Sequence, residues 1–213
     1  MMTTKLELGG IYKTEWDERP FRLIGFDDIE VFYDCLWPHD NTWSFSGNLK
    51  KKCYIYRISS NFFAINSILT DILPLTEEEF KAFRPDLPLR LLRTKKLRWN
   101  NFDSANYDEF LSLTDDIFDN NFLSQKLQVA KIVLLPYGNK GGLKKGSVIS
   151  ADNSVNFSCV ELIWKAKEVQ EAVNSRISDG IGIYRIGFEK GLPSYYIGGY
   201  YDTAGIIKRS ENS

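Results

Sequence analysis

The chain has 213 residues, of which 43% are hydrophobic and 26% charged, and its formal net charge at pH 7 is −1. This composition excludes an intrinsically disordered chain, and three cysteines, an odd number, argue against a disulfide framework. No apolar run reaches the ~20 residues that span a bilayer. The N-terminal segment MMTTKLELGG lacks the apolar core of a signal peptide, so we expect a soluble cytoplasmic protein.

The first ~65 residues predict antiparallel β structure, because short runs rich in aromatic and β-branched residues alternate with turn residues. The runs are IYKTEW, PFRLIGF, DIEVFYDCLW and KKCYIYRIS. In the third run, Val31 and Tyr33 share one face, and Glu30 and Asp34 share the other. This alternation predicts a half-buried strand with an acidic outer face. Four or five such strands would form a small barrel-like unit or a strongly twisted sheet.

The segment SSNFFAINSILTDILP, residues 59–74, is ambiguous. Apolar residues at near-helical spacing favour a helix, whereas its β-branched content favours a strand. The spaced residues are Phe62, Ile65, Leu69 and Ile72. The next segment is clearer, since Thr76 and Glu79 have the spacing of a capping box and Pro85 follows, which predicts a short helix.

Two amphipathic helices are predicted in the second half of the chain. Residues 104–121 form an acidic one, and a capping box at Ser158 and Glu161 begins the other. Between them lie the apolar strand LQVAKIVLLPYG and residues 146–157, whose pattern predicts a hairpin that turns at DNS. Glycine-rich β structure follows, with a turn at EKGLPS.

These elements predict an α+β fold: an N-terminal antiparallel β-barrel-like or twisted-sheet unit, followed by a mixed or antiparallel sheet packed by two amphipathic helices. The predicted division is residues 1–83, ending in the short capped helix, and residues 84–213, with one continuous domain as the alternative.

The segment PYGNKGGLKKGS, residues 136–147, follows a buried strand as phosphate-binding loops do. A Walker A loop requires a lysine directly before the Ser or Thr and a helix after it, and here Gly146 precedes Ser147 and a strand is predicted. The dinucleotide pattern G-x-G-x-x-G is also absent. The segment therefore predicts a basic hairpin that carries Lys140, Lys144 and Lys145.

Charge is unevenly distributed along the chain. Residues 46–102 have a net charge of +6 and residues 103–119 a net charge of −6. The basic side chains Arg90, Arg93, Lys95, Lys96 and Arg98 precede Trp99. They either pair with the acidic helix or contact a polyanion or a protein partner.

No cofactor or metal is expected. His39 is the single histidine, and Cys35, His39 and Cys53 would lack a fourth ligand for a structural zinc ion. Cys159 follows the N-cap Ser158, a position that lowers a thiol pKa where the sulfur is exposed, and a buried small residue is the alternative. Tyr196 and Tyr200, beside paired glycines, are either surface aromatics or core residues.

We therefore predict a non-enzymatic intracellular binding protein, adaptor- or immunity-like, that acts through a protein- or polyanion-binding surface. The first alternative is an enzyme with an unfamiliar site, either the Cys159 thiol or carboxylates of the N-terminal acidic strand. The second is a nucleic-acid-binding protein that uses the basic segments 84–98 and 140–145.

Overall fold

The computed structural model describes residues 4–39, 41–45, 53–54, 56–96, 106–138, 142–173 and 180–199. These residues form an α+β fold with antiparallel and mixed sheets and no closed barrel among the described strands. The chain divides into two compact units. Unit 1 comprises Met1–Leu89 and Ile186–Pro193, and unit 2 comprises Arg90–Arg185 and Ser194–Ser213. The predicted division into domains 1–83 and 84–213, with one continuous domain as the alternative, stays a prediction.

Unit 1 contains an open antiparallel sheet and two short helices. Its elements are β1 Gly10–Thr14, β2 Phe21–Phe26, β3 Glu30–Trp37, β4 Thr42–Trp43, β5 Cys53–Tyr54, β6 Tyr56–Ser59, α1 Ser60–Asn66, β7 Ser67–Ile72 and α2 Glu77–Phe83. The strand order is β4-β3-β2-β1-β7, with β6 also paired to β3. Among the described strands, β7 is therefore at one edge of this sheet.

The sheet of unit 1 is covered on both faces. Leu23 and Val31 belong to one buried cluster, whereas Ile24 and Phe32 belong to another, as expected for neighbours that point to opposite faces of a strand. The predicted acidic outer face of β3 is therefore wrong. Glu30 and Asp34 are both buried, since a second apolar cluster covers the side that alternation assigned to solvent.

The ambiguous segment 59–74 forms both a helix and a strand. Helix α1 ends at Asn66, and the extended backbone at Ser67 begins β7, which pairs antiparallel with β1. Pairing with β1 selects the extended form for the β-branched residues that follow. The capping box of α2 is confirmed, since Glu79 N donates to Thr76 Oγ1 at 3.2 Å and Thr76 N donates to Glu79 Oε2 at 2.8 Å.

Unit 2 contains a mixed sheet and three helices among its described residues. Its elements are β8 Arg90–Thr94, α3 Tyr107–Ile117, α4 Asn120–Leu123, β9 Lys126–Leu127, β10 Lys131–Leu135, β11 Ser147–Ser150, β12 Phe157–Ser158, α5 Cys159–Glu171, β13 Ile181–Glu189 and β14 Leu192–Gly198. Strands β13 and β14 contribute residues to both units. The order in unit 2 is β11-β10-β14-β13-β8, and the β10–β14 pair is parallel.

The turn between β13 and β14 is confirmed at Lys190 and Gly191. Both residues have positive φ, 56° and 72°. Two successive positive φ angles are the geometry of a tight hairpin turn whose twist matches the flanking strands. The hairpin predicted for residues 146–157 is wrong, because β11 pairs with β10 while Phe157 of β12 pairs with Leu127 of β9.

Helices α3 and α5 pack together through aromatic side chains. The Trp164 ring lies 5.1 Å from Phe110 and 5.2 Å from Tyr107. The capping box of Ser158 and Glu161 is confirmed at the start of α5. Tyr107 is 45% exposed because it lies in the first turn of α3, at the rim of the contact.

Candidate functional site

Helix α1 presents two apolar side chains to solvent. Its N-cap is Ser59, whose hydroxyl accepts a hydrogen bond from Phe62 N. Phe63 is fully buried in the core of unit 1, whereas Phe62 is 46% and Ile65 38% exposed. Residues three apart on a helix lie on one face, so Phe62 and Ile65 are neighbours on the exposed side.

Trp16, which follows β1, extends this exposed apolar area. Its ring lies 5.1 Å from that of Phe62, and Trp16 is 39% exposed. The centroid of the indole also lies 6.1 Å from that of the Phe21 ring and 6.2 Å from that of the Phe63 ring. These two rings hold Trp16 in place from the core side. We call Trp16, Phe62 and Ile65 the aromatic patch. Single exposed apolar residues are normal on protein surfaces, whereas the residues of the aromatic patch are adjacent to one another.

The other side of α1 borders an open groove of about 510 Å³. Its lining residues are Leu6, Phe26, Asp27, Asp28, Ser60, Asn61 and Ala64. Phe26 is 42% exposed and provides an apolar wall, while Asp28 is exposed and acidic. We call this the acidic groove, and the groove and the aromatic patch together are the α1 surface.

The backbone beneath the acidic groove is held by hydrogen bonds. Asp27 Oδ1 accepts from Ile29 N and Glu30 N, both at 2.8 Å. Ser60 Oγ donates to the Asp27 carbonyl oxygen at 2.8 Å, which ties the start of α1 to the β2–β3 turn. The groove is thus built on a fixed turn and a fixed helix start.

Unit 1 is acidic as a whole. Its described residues include 14 carboxylates and eight lysine and arginine side chains. Glu15 and Glu18 are exposed beside Trp16 in the sequence, and Asp17 between them is paired with Arg19, whose Nη2 lies 2.5 Å from Asp17 Oδ2. The α1 surface therefore combines an apolar patch with the acidic groove that contains Asp28, and Glu15 and Glu18 are exposed on either side of Trp16 in the sequence.

The sequence did not identify the α1 surface. The available signal was the pair Phe62–Phe63 in a segment that could form a helix. Adjacent residues on a helix point about 100° apart, so one of the two phenylalanines is expected to be exposed. Sequence reasoning used Phe62 only as one of the apolar residues at near-helical spacing. Tertiary packing of Phe63, which lies 5.0 Å from Tyr12, decides which phenylalanine is buried.

The Cys159 thiol is inaccessible. Cys159 is the first residue of α5, as expected, but it is only 2% exposed, and burial raises the pKa of its thiol to about 12. Burial also raises the pKa of Cys35 to about 12. The position of Cys159 fits the alternative of a small buried core residue and lacks the exposure that a reactive thiol needs.

Asp34 of the N-terminal acidic strand has structural partners. Asp34 is fully buried, and its Oδ1 accepts from Ser44 Oγ at 2.7 Å and from Phe45 N at 2.9 Å. Within the described residues, no three His, Cys, Asp or Glu side chains converge as metal ligands would.

The basic residues predicted as polyanion contacts lie in unit 2. Arg90 and Arg93 are half-buried on β8, while Lys95 and Lys96 are exposed just after it. Lys144 and Lys145 are also exposed. Four further predicted site residues lie outside the described residues: Arg98, Trp99, Lys140 and Tyr200.

Tyr196 is not a surface aromatic. It is fully buried on β14, and its ring lies 5.2 Å from that of Tyr184. Its position fits the alternative of a core residue, because both faces of β14 are covered and neither Tyr195 nor Tyr196 lies in solvent.

No helix in the described part of the chain is both long enough and apolar enough to cross a membrane. Compared with protein families, curated proteins and solved structures, the chain gives no match.

Proposed function

We propose that this protein is a non-enzymatic intracellular binding protein, adaptor- or immunity-like, that recognises a basic protein partner through the α1 surface. The observation that carries the proposal is the contiguous exposure of Trp16 and Phe62 with Ile65 beside them on α1. Exposed apolar patches rimmed by polar residues mark protein interaction sites. An intracellular location is part of the proposal and is supported by the odd number of cysteines.

The aromatic patch has the character of an interface centre. Its residues are 38–46% exposed, so burying the exposed part of each against a partner would stabilise a complex by roughly 1 kcal/mol. Tryptophan is enriched among the residues that dominate binding energy. Phe21 and Phe63 already brace Trp16, so binding costs little additional side-chain entropy.

Charge selects the class of partner. The carboxylates around the patch attract a basic protein surface and disfavour an acidic one. The acidic groove suits a lysine or arginine side chain, whose aliphatic stem would lie on Phe26 while its charged end approaches Asp28. We therefore expect the partner to offer an apolar anchor for the patch and a cationic side chain for the groove.

The proposal is tested by parallel affinity capture from the native cell with the wild-type chain and the F62E/I65E double variant. Both substituted residues are exposed, so the variant should fold. We expect basic proteins among those captured by the wild type, and we expect the variant to lose them by about tenfold or more, as loss of an interface hot spot predicts. Titration of the purified partner should reproduce that loss.

The matched control is V148E/V155E, which introduces the same charge at two exposed apolar positions of unit 2, where Val148 is 46% and Val155 63% exposed. Capture that survives F62E/I65E, or that falls equally in the control, would overturn the proposal. So would concentration-dependent dimerisation in sedimentation that F62E/I65E abolishes, because the α1 surface would then be a contact between copies of this chain.

A further inference from the structure

Among the described strands, β11 lies at one edge of the sheet of unit 2. It pairs with β10 on one side, and no other described strand pairs with it. Its register with β10 runs through Ser147–Ser150 without a shift. Val148 is 46% exposed, and the two serines are exposed as well. An exposed strand with one partner can accept a further strand on its outer side.

Half of the backbone groups of β11 point away from β10. Ala151, directly after the strand, donates its N–H to the carbonyl oxygen of Ala130 at 2.8 Å, so these two residues form a hydrogen-bonded pair. Hydrogen-bonded and non-hydrogen-bonded pairs alternate along an antiparallel ladder. Ile149 therefore bonds to β10, whereas the N–H and C=O groups of Val148 and Ser150 point outward.

Strand β7, at one edge of the sheet of unit 1, is protected against such pairing. Its register with β1 shifts between Ile11 and Tyr12, which marks a β-bulge, and Asp71 Oδ1 accepts the Ile72 N–H at 2.8 Å. Bulges and charged residues are common protection for an exposed edge. Strand β11 has a regular register and consists of serine, valine and isoleucine, so it carries neither feature.

The outward groups of β11 match those of a second copy of the strand. In an antiparallel pair about a two-fold axis at Ile149, Val148 of each copy lies opposite Ser150 of the other. Each of these two pairs exchanges both of its N–H···O=C hydrogen bonds. Ile149, which is partly buried, meets its counterpart in a non-hydrogen-bonded pair, where opposite side chains are closest. The strand is thus complementary to itself.

The basic hairpin lies directly before β11. A bridge between Tyr137 and Leu143 and a hydrogen bond from Lys144 N to Pro136 O at 2.9 Å bring its two arms together. The hairpin leads into a strand, whereas a Walker A loop leads into a helix. It therefore places Lys144 and Lys145 at the beginning of β11.

The charged residues that flank β11 favour the antiparallel direction. Lys144 and Lys145 precede the strand, and no carboxylate among the described residues forms an ion pair with either. Asp152 follows the strand; it lies 2.7 Å from Lys165 Nζ, yet its side chain is 77% exposed. An antiparallel second copy brings these lysines beside Asp152 of its partner, whereas a parallel copy would bring like charges together.

We propose that two copies of this chain pair antiparallel through β11, about a two-fold axis at Ile149, and form one continuous sheet. A two-fold contact is closed, so the assembly stops at a dimer. The pair buries one short strand from each copy, so the dimer is weak and depends on chain concentration. All contacting residues belong to unit 2, and the dimer is therefore independent of the α1 surface.

Cysteine cross-linking of the full chain tests the register. Opposite Cα atoms of a non-hydrogen-bonded pair lie about 4.5 Å apart, within the range of a disulfide. I149C should therefore form a covalent dimer under mild oxidation with copper–phenanthroline, and the wild type should form none. V148C should cross-link at least about tenfold more slowly, because its counterpart is displaced along the strand. Faster cross-linking of V148C than of I149C would overturn the proposal.

Sedimentation equilibrium from about 10 µM to about 1 mM chain measures the dimer itself. The wild type should shift from monomer towards dimer over this range. S150P removes an outward N–H that β10 does not use, and V148E places two like charges close together. Each should weaken dimerisation by about tenfold or more. V148E replaces S150P if the proline lowers the melting temperature.

The matched control is I68E, the same charge change at a β-branched residue of the edge strand β7 that is 70% exposed. It should dimerise as the wild type does. Equal loss in I68E and V148E, or a wild type that stays monomeric at about 1 mM, would overturn the proposal. F62E/I65E should still dimerise and V148E should still capture basic proteins, so this proposal and the proposed function fail separately.

Discussion

Arg22 and Glu79 form a buried ion pair across 57 residues of sequence, with Arg22 Nη2 2.5 Å from Glu79 Oε1. Their side chains are 2% and 9% exposed. The other carboxylate oxygen of Glu79 accepts Thr76 N in the capping box of α2. Arg22 Nη2 also lies 3.9 Å from Asp34, and its guanidinium lies 5.0 Å from the Trp43 ring. One carboxylate therefore caps a helix and attaches it to the sheet of unit 1.

The substitution E79Q should lower the free energy of unfolding by about 3–5 kcal/mol, the usual cost of removing one partner from a buried ion pair. Glutamine keeps the volume of the side chain and can still complete a capping box, so the loss reports the missing charge. Urea denaturation followed by circular dichroism measures it.

The control for this prediction is E109Q, the same substitution at the same position of the capping box of α3, where Glu109 is exposed and forms no ion pair. We expect a change within about 0.5 kcal/mol there. Similar losses in the two variants would mean that the box, and not the charge on Glu79, explains the effect.

The Asp17–Arg19 pair should make stability depend on pH in the acid range. The hydrogen bond from the Arg19 side chain holds the pKa of Asp17 below its model-peptide value of 3.8. A depressed folded-state pKa contributes stability that is present above the unfolded value and is lost as pH falls through the folded value. The stability difference between wild type and D17N should therefore be constant near neutral pH and shrink below about pH 4.

Urea denaturation at a series of pH values measures that difference, and R19M is the companion variant. The coupling between D17N and R19M in a double-mutant cycle should decline over the same acid range. A coupling that is independent of pH would show that the Arg19 contact does not depend on the Asp17 charge.

The Cys35 and Cys159 thiols should resist alkylation in the folded protein. Burial raises the pKa of each to about 12, so little thiolate forms at neutral or mildly alkaline pH, and neither sulfur is accessible. Mass spectrometry after iodoacetamide treatment should find both unmodified in buffer and both modified in concentrated urea. Rapid modification of Cys159 below neutral pH in the folded state would instead support the alternative hypothesis of an enzyme that uses the Cys159 thiol.

The Gln170 side chain should stabilise the attachment of α5 to the strand end after β10. Its Oε1 accepts from Tyr137 N at 3.0 Å and its Nε2 donates to Tyr137 O at 2.9 Å. Gln170 is 4% exposed, so Q170L leaves two backbone groups without these partners and should cost about 2–4 kcal/mol in denaturant unfolding. The control Q125L, at an exposed glutamine, should change stability by less than about 0.5 kcal/mol.

Local signals in the sequence predicted elements that depend on neighbouring residues alone. The capping boxes at Thr76–Glu79 and Ser158–Glu161 start α2 and α5 where predicted. The tight turn at Lys190–Gly191 and the aromatic, β-branched strands of unit 1 also follow from local chemistry. Hydrogen bonds between the backbone and nearby side chains, and the steric limits on φ, involve residues only a few positions apart. These features can therefore be predicted from a short stretch of sequence.

Tertiary structure alone decided which groups are buried and which strands pair. Alternation along β3 predicted acids in solvent, but the apolar cluster around Phe32 and the partner Arg22 bury that face. Tyr196 is buried for the same kind of reason, and Phe62 is exposed because Phe63 takes the place against Tyr12. The α1 surface arises from residues far apart in sequence, since Trp16 of the segment after β1 contacts Phe62 of α1. The sequence by itself therefore determined the composition, the helix starts and the tight turn. The α1 surface exists only in the tertiary structure, because long-range packing decides which of two equally apolar side chains is buried.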